Sequence, residues 1–397
     1  MPASDVEEYL RECRELTLHE LATIIPAGDR CREVLYDLML EYPLREAKAL
    51  RPALCVATCR ALGGNLESVL RSAATLELYH NAFLIHDDVE DGSEHRRDRP
   101  TLHAMHGAPI AVNVGDAMLA LALQPLLDNM RLIGMGKALR ILDVIARMAR
   151  ESTEGQAIEL HWIRDGEWRL GDADYVRMVY KKTSWYTFIA PMLIGAIVAG
   201  AAHERLTALR KFAALLGIAF QIQDDVLNLV GEGGKYGKEI AGDLWEGKRT
   251  LILTHALRTA CADERGSAER ILAKPRPPKA LPDGEGSPAG GSDGALAALR
   301  EVCRALKARG DLTEAGERAI ADVVGAGAPG QNVKTGAEIE WLLSLVRRQG
   351  SIDYAREVGA RYAARARRAL EGAHWMPPSV HRDLLENLVD FVVTRER

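Results

Sequence analysis

What the chain lacks narrows its class before any motif is read. It has no excess of positive charge: 51 Lys and Arg stand against 56 Asp and Glu, a formal net charge of -5. Binding a phosphate backbone needs a basic surface, so the balance argues against nucleic acid as the main partner. The six cysteines, Cys13, Cys31, Cys55, Cys59, Cys261 and Cys303, form no CxxC pair and no secretory framework. Cys55 and Cys59 lie one helical turn apart and read as small core residues in a reducing cytosol rather than half a metal site. Met1 to Arg14 is acidic without a charged-then-apolar leader, so no signal peptide is expected. The longest apolar run, Phe188 to Ala202, is shorter than the roughly 20 residues a membrane span needs and fits a buried core helix. A soluble, cytoplasmic protein is expected.

Strand-period alternation is nearly absent too. Helical periodicity runs instead through about 5–23, 29–40, 48–62, 65–91, 108–130, 134–164, 172–182, 185–201, 204–230, 248–273, 296–308, 312–324, 336–348, 351–371 and 378–394. With 47% apolar residues there is material for a large core, and an all-α protein with long central helices follows. Length alone would suggest roughly two or three domains. A single domain over 1–397 is preferred, because the helices after the weak stretches are short and amphipathic. Residues 274–294, dense in Pro, Gly, Ser and charge, cannot bury enough apolar surface to offset their ordering entropy and read as a disordered insertion. Residues 325–336, rich in Gly, read as a flexible loop.

Against this background two acidic pentads stand out: Asp87-Asp88-Val89-Glu90-Asp91 and Asp224-Asp225-Val226-Leu227-Asn228. Positions i and i+4 share a helix face, so Asp87 and Asp91 aim two carboxylates at one point. Such a pair suits Mg²⁺, a hard ion that takes oxygen ligands and is often completed by substrate phosphates. Below them Val69, Ala73, Leu76, His80 and Phe83 continue the same face, apolar except for His80. A lone pentad is more often a solvated acidic helix end. A carboxylate pair above a greasy wall suggests a ligand with a charged head and a hydrocarbon tail.

The second pentad repeats the design, with Gly217, Phe220 and Gln221 below Asp224. After it come Lys235, Tyr236, Gly237 and Lys238, then Asp243, then Gly247-Lys248-Arg249-Thr250. Glycines allow close backbone approach, and lysines supply point charges for phosphate. Arg96 and Arg97 follow the first pentad, and arginine's fork fits phosphate oxygens bidentately. Lys48 and Arg51, at i and i+3 directly before Pro52, sit on one side of a predicted helix start. Lys182-Thr183 ends another helical stretch.

In order and spacing these elements resemble the trans-isoprenyl diphosphate synthases, or polyprenyl synthetases. The matching elements are Lys48 with Arg51, HDDVED with Arg96-Arg97, Gly155-Gln156 with Glu159, Lys182-Thr183, Phe220-Gln221 with the second pentad, and Lys238 with Asp243 and Lys248. The resemblance covers about 44–256 and again 351–370; nothing transfers onto 274–336. It implies an all-α fold of core helices around a deep central cavity, commonly as a homodimer, and head-to-tail condensation of isopentenyl diphosphate with an allylic diphosphate. By that resemblance Asp87, Asp91 and Asp224 bind three Mg²⁺ that chelate the allylic diphosphate. Asp88, Asp225 and Asp243 hold metal waters or support the ligands. Arg96, Lys182 and Lys248 add positive charge to the leaving group. Lys48, Arg51, His80 and Arg97 hold isopentenyl diphosphate, Thr183 and Gln221 steady the carbocation side, and Lys238 helps close the site.

Asn228 departs from the pattern, standing where many members have a last Asp, and Glu159 replaces a more usual Asp. Because one helical turn rises about 5.4 Å, comparable to an isoprene unit, Phe83 one turn and Tyr79 two turns below Asp87 should stop the growing chain early. A short product is expected, geranylgeranyl first and farnesyl second. Two rival readings remain open: a class I terpene cyclase, and a non-catalytic subunit that alters a partner synthase.

Overall fold

The computed structural model describes residues 3–28, 30–45, 47–97, 99–231, 241–277, 306 and 333–394. Among the described residues the strand pairing is confined to a two-residue antiparallel hairpin, His95–Arg96 with Arg99–Pro100. The remaining elements are helices, as the periodicity predicts. Those expected at 296–308 and 312–324 lie outside the described residues apart from 306, as does most of 274–294 and 325–336.

Two long helices carry the pentads. The first acidic helix, Leu66–Asp91, starts where the Asn65 side chain accepts the Glu67 N–H at 2.8 Å, which satisfies one orphan donor of the first turn. It stops at Gly92, whose φ of 62° ends it in the left-handed cap that glycine adopts without a Cβ penalty. It packs on Leu50–Ala61, Ala108–Leu121 and Leu123–Ile133. The second acidic helix, His203–Val230, packs on Ser351–Glu371 and on a segment between Asp172–Val179 and Ala190–Val198.

That segment is a difference from the sequence reading. Helices expected at 172–182 and 185–201 are one continuous element, joined through ten residues of π-helix, Tyr180–Ile189. It runs between Met135–Arg164 and the second acidic helix, and glycine admits it from both sides. A Cβ on Gly155 would lie 2.3 Å from the Lys182 nitrogen, and one on Gly217 2.6 Å from Ser184 Oγ. A wide π turn fits there because neither neighbour presents a side chain. Such turns concentrate at functional sites, and no local pattern in 172–201 announces this one.

Three further differences are smaller. The 108–130 stretch divides at Ala122. The 248–273 stretch becomes Leu251–Thr259 and Ala262–Leu272, because Ala260 and Cys261 are extended and Asp263 and Glu264 favour a new helix start. Among the described residues of 29–40 stand a π turn, Arg32–Tyr36, and one α turn, Asp37–Leu40.

The apolar run behaves as expected: every residue of Ala190–Val198 is buried. Cys55 and Cys59 are buried free thiols, both raised above the usual value, first by burial. By length and composition, Ala108–Ile133 and His203–Val230 are also apolar enough to cross a membrane, stretches the run-length reading does not single out. The second is 67% buried as a core helix, the first 39%.

Candidate active site

The first pentad divides its labour by helix face. Asp88 points inward and is fully buried. Arg96 forks onto it with contacts of 2.6, 2.8 and 2.9 Å, and Tyr42 donates to it at 2.5 Å. Both Asp88 oxygens are thereby occupied, which leaves it the supporting one of its two expected roles: it braces Arg96. The guanidinium is held well above its ordinary value: burial opposes the charge, but Asp88 and Asp87 outweigh it. Asp87 lies 3.7 Å from the same guanidinium, about 100° round the helix from Asp88, and Asp91 shares the Asp87 face.

Two lysines from distant segments meet Asp87 and Asp91. Lys182 Nζ, at the start of the π segment, lies 2.5 Å from Glu159 and 3.5 Å from Asp87. Burial works against its charge, yet Glu159 and Asp87 hold it above the usual lysine value. Burial likewise would raise Glu159, but Lys182 and Lys248 keep that carboxyl below its ordinary range. Lys248 Nζ lies 3.0 Å from Asp91 and 2.8 Å from Glu246. It too is held charged against burial, first by Asp91, then by Glu246 and Asp243. Asp91 is pushed up to about 6 by burial, with Lys248 opposing and Asp87 adding to the rise.

The second pentad is built alike. Asp225 is buried and takes the Tyr175 hydroxyl at 2.6 Å and the Gln221 amide at 2.8 Å. Gln221 in turn accepts from Thr183 Oγ1 at 2.8 Å, so a hydrogen-bonded chain links the π segment to the pentad. Burial, then Asp243, raises the Asp225 carboxyl well above its normal range. Like Asp88, it is spent on internal partners rather than open to a metal. Asp224 is half-buried on the adjoining face. Asn228 accepts the Asp243 N–H at 3.1 Å and, by its carbonyl, the Ala241 N–H at 2.7 Å. Its amide therefore fixes the turn that presents Asp243, a use the sequence reading does not foresee.

A second cationic patch lies beside the first. Arg51, Arg97 and Arg96 all depress His80, after burial itself, well below the ordinary imidazole value. His80 is thus neutral near pH 7. Its buried Nδ1 and Arg51 Nε have no hydrogen-bond partner among the described residues. Arg97 adopts a left-handed φ of 53° and is lowered to about 10 by burial, with Glu77 opposing and Arg96 and Arg51 adding. Arg51 is fixed by the π segment, donating to Thr187 Oγ1 at 2.8 Å with its guanidinium 4.2 Å from the Tyr186 ring centre. Lys48 does not share Arg51's helix face. Ala49 is left-handed (φ 47°) and the helix begins at Leu50, so Lys48 swings out over Phe391, 5.1 Å from its ring centre. Lys238 lies outside the described residues.

Below the acids, Phe83 meets Tyr79 at 6.0 Å and Tyr186 at 5.8 Å, both edge to face. Tyr186 is an aromatic that sequence reading misses, because only the π turn brings it opposite Phe83. The same holds for Tyr42 and Tyr175, whose hydroxyls lie far along the chain from the aspartates they bind. A cleft of ≈ 290 Å³ lined by Lys211, Leu215, Arg365, Arg368 and Ala369 belongs to another region; Lys211 lies about 20 Å along the helix from Asp224 at 1.5 Å per residue.

Among the described residues, no three His, Cys, Asp or Glu side chains converge as a ready-made metal cage. The donors present are nonetheless all oxygen, with the carboxylates of Asp87, Asp91, Glu159 and Glu246 gathered around Lys182 and Lys248. Carboxylate oxygens fit hard divalent ions whose coordination substrate phosphates complete.

A family model described as polyprenyl synthetase matches residues 33–280. The short chain isoprenyl diphosphate synthase of Methanocaldococcus jannaschii is 35% identical over 253 residues, 64% of this chain and 74% of that one. The crystal structure of geranylgeranyl pyrophosphate synthetase from Pyrococcus horikoshii is similar at TM-score 0.77 and 27% identity, covering 100% of both chains. Polyprenyl synthase from Caulobacter crescentus, complexed with calcium and isoprenyl diphosphate, gives TM-score 0.74 at 25% identity over 99% of this chain and 98% of that one. With the paired acidic helix ends and the all-α architecture already in place, the match over most of its length makes this chain a member of the polyprenyl synthetase family.

Proposed function

We propose that this protein joins isopentenyl diphosphate head to tail to an allylic diphosphate, giving a short all-trans product, geranylgeranyl diphosphate first and farnesyl diphosphate second. The observation that carries this reading is the Lys248 ammonium 3.0 Å from Asp91 of the first pentad, on a turn that Asn228 of the second pentad holds by accepting the Asp243 N–H at 3.1 Å. That contact supports a head-group site shared by the two acidic regions.

Asp87, Asp91 and Asp224 are the proposed ligands for Mg²⁺, three ions per site, and calcium in the Caulobacter crescentus relative supports divalent-ion use. Bound there, the ions supply concentrated positive charge to the departing diphosphate. Lys182 and Lys248 add to it, already protonated and oriented by their carboxylates, so little reorganisation accompanies bond breaking. Asp88 and Asp225 support this arrangement from behind, and Asp243 is held toward Lys248 by Asn228. Arg51, Arg97 and neutral His80 hold isopentenyl diphosphate in the second patch, with Arg96 between the two. Lys48 and Lys238 remain assigned to substrate by resemblance alone.

Thr183 and Gln221 present oriented dipoles on the cation side, and the apolar wall headed by Phe83 keeps water from the carbocation. After the isopentenyl double bond attacks, a proton must leave. No side chain in the patch stands out as a base, so the departing diphosphate is the proposed acceptor. Phe83, Tyr79 and Tyr186 together close the wall and set the short product.

A homodimer in the cytoplasm completes the proposal. Ile110, Leu123, Leu127, Met135, Leu139 and Leu142 are exposed on consecutive helices, apolar side chains that a second copy would cover. A solution mass of two chains is expected. The activity is tested by mass analysis of products from dimethylallyl, geranyl and farnesyl diphosphates with isopentenyl diphosphate and Mg²⁺. Cyclic hydrocarbon from farnesyl diphosphate alone would overturn the reading in favour of a cyclase; no product from the protein by itself would favour a regulatory subunit.

A further inference from the structure

We infer that Glu246 is a positioning residue: its carboxylate holds the Lys248 ammonium against Asp91 and ties that contact to Arg276. This rests on the reading that Lys248 faces the leaving diphosphate. Glu246 is split between two cations. One oxygen lies 2.8 Å from Lys248 Nζ, itself 3.0 Å from Asp91, and the other lies 3.6 Å from Arg276 Nη1.

The backbone is shaped for this contact. Residues two apart do not face each other on a helix. Gly247, with φ of 72°, ends the helix Gly242–Glu246 and folds the chain back so that the Lys248 N–H reaches the Asp243 carbonyl at 2.9 Å. Glu246 and Lys248 then lie side by side. The turn is clamped from behind: buried Lys334 donates to the Trp245 carbonyl at 2.6 Å, and its own N–H reaches the Pro275 carbonyl at 2.9 Å. The chain segments before residue 278 and after residue 332 are thus fastened to each other and to the loop that carries Glu246.

A lysine is a point charge on a flexible four-carbon stem. Held only by Asp91, it would lose its anchor whenever Asp91 turned to another cation. Glu246 supplies a hold that survives that exchange and keeps the ammonium where the diphosphate arrives.

The test is a double-mutant cycle read as kcat/KM for the allylic diphosphate, with thermal midpoints as a control. Glu246→Gln keeps the shape and removes the charge; it should lower kcat/KM by about tenfold with Lys248 present and by less than about twofold in a Lys248→Ala background, because coupled residues are non-additive. Glu246→Asp, should the Gln variant melt early, keeps the charge and should recover part of the loss. Equal losses in both backgrounds, or a folded Glu246→Asp variant no better than Gln, would overturn the role of Glu246 alone. Full turnover in Lys248→Ala would overturn the Lys248 reading beneath it.

Discussion

The Tyr175 hydroxyl donates to Asp225 Oδ2 across 2.6 Å, with both side chains buried. Tyr42 does the same for Asp88 at 2.5 Å. The second aspartate of each pentad therefore faces inward onto a tyrosine. Removing the Tyr175 hydroxyl leaves a buried carboxylate short of a donor, at a cost of about 1–3 kcal/mol. Tyr175→Phe should lower the thermal midpoint accordingly while keeping measurable turnover. An unchanged midpoint would show that the bond contributes nothing.

The Asp87 side chain, unlike that of Asp88, is not fully buried, and its loss should spare the fold. Asp87→Ala is expected to reduce turnover by orders of magnitude with unchanged helical circular dichroism. Near-normal turnover would remove it from the metal site.

Phe83 is braced by Tyr79 and Tyr186. Phe83→Ala should open the wall one turn below Asp87 and lengthen the product, and Phe83→Ala with Tyr186→Ala should lengthen it further. Mass analysis of the hydrolysed products reads the chain length; identical distributions would mean the ring is merely packing.

Gly155 lets the π segment through. A methyl there would meet the Lys182 nitrogen at 2.3 Å, so backbone must move, at about 1–3 kcal/mol for an overpacked site. Gly155→Ala should therefore lose both stability and turnover, since the displaced residue carries the Lys182 ammonium. Full activity at an unchanged melting point would contradict the close approach.

Asp91, raised to about 6 by burial, must be ionised to take a metal. Below that value protons compete with Mg²⁺, so the metal concentration for half-maximal binding should rise as pH falls, by up to about tenfold per unit. Above it the dependence should flatten. Isothermal titration of the protein with Mg²⁺ and an unreactive allylic analogue between pH 5 and pH 7.5 measures this, and a flat profile across pH 6 would rule out Asp91 as the titrating ligand.

Periodicity, helix stops at residues such as Gly92, and the placing of Asp87 and Asp91 on one face depend on neighbours within a turn or two. The amino-acid order was enough to determine them, and with them the all-α class and the family. The remaining features depend on segments far apart in sequence. The π turn exists because Gly155 and Gly217 leave room on both sides, and it alone aligns Lys182, Thr183 and Tyr186. Lys48 parts from Arg51 and lies over Phe391, from the far end of the chain. Asp88 and Asp225 turn inward because Tyr42 and Tyr175 arrive from elsewhere. A pattern of residue types fixes which face of a helix is acidic; what meets that face is decided only when distant backbones pack.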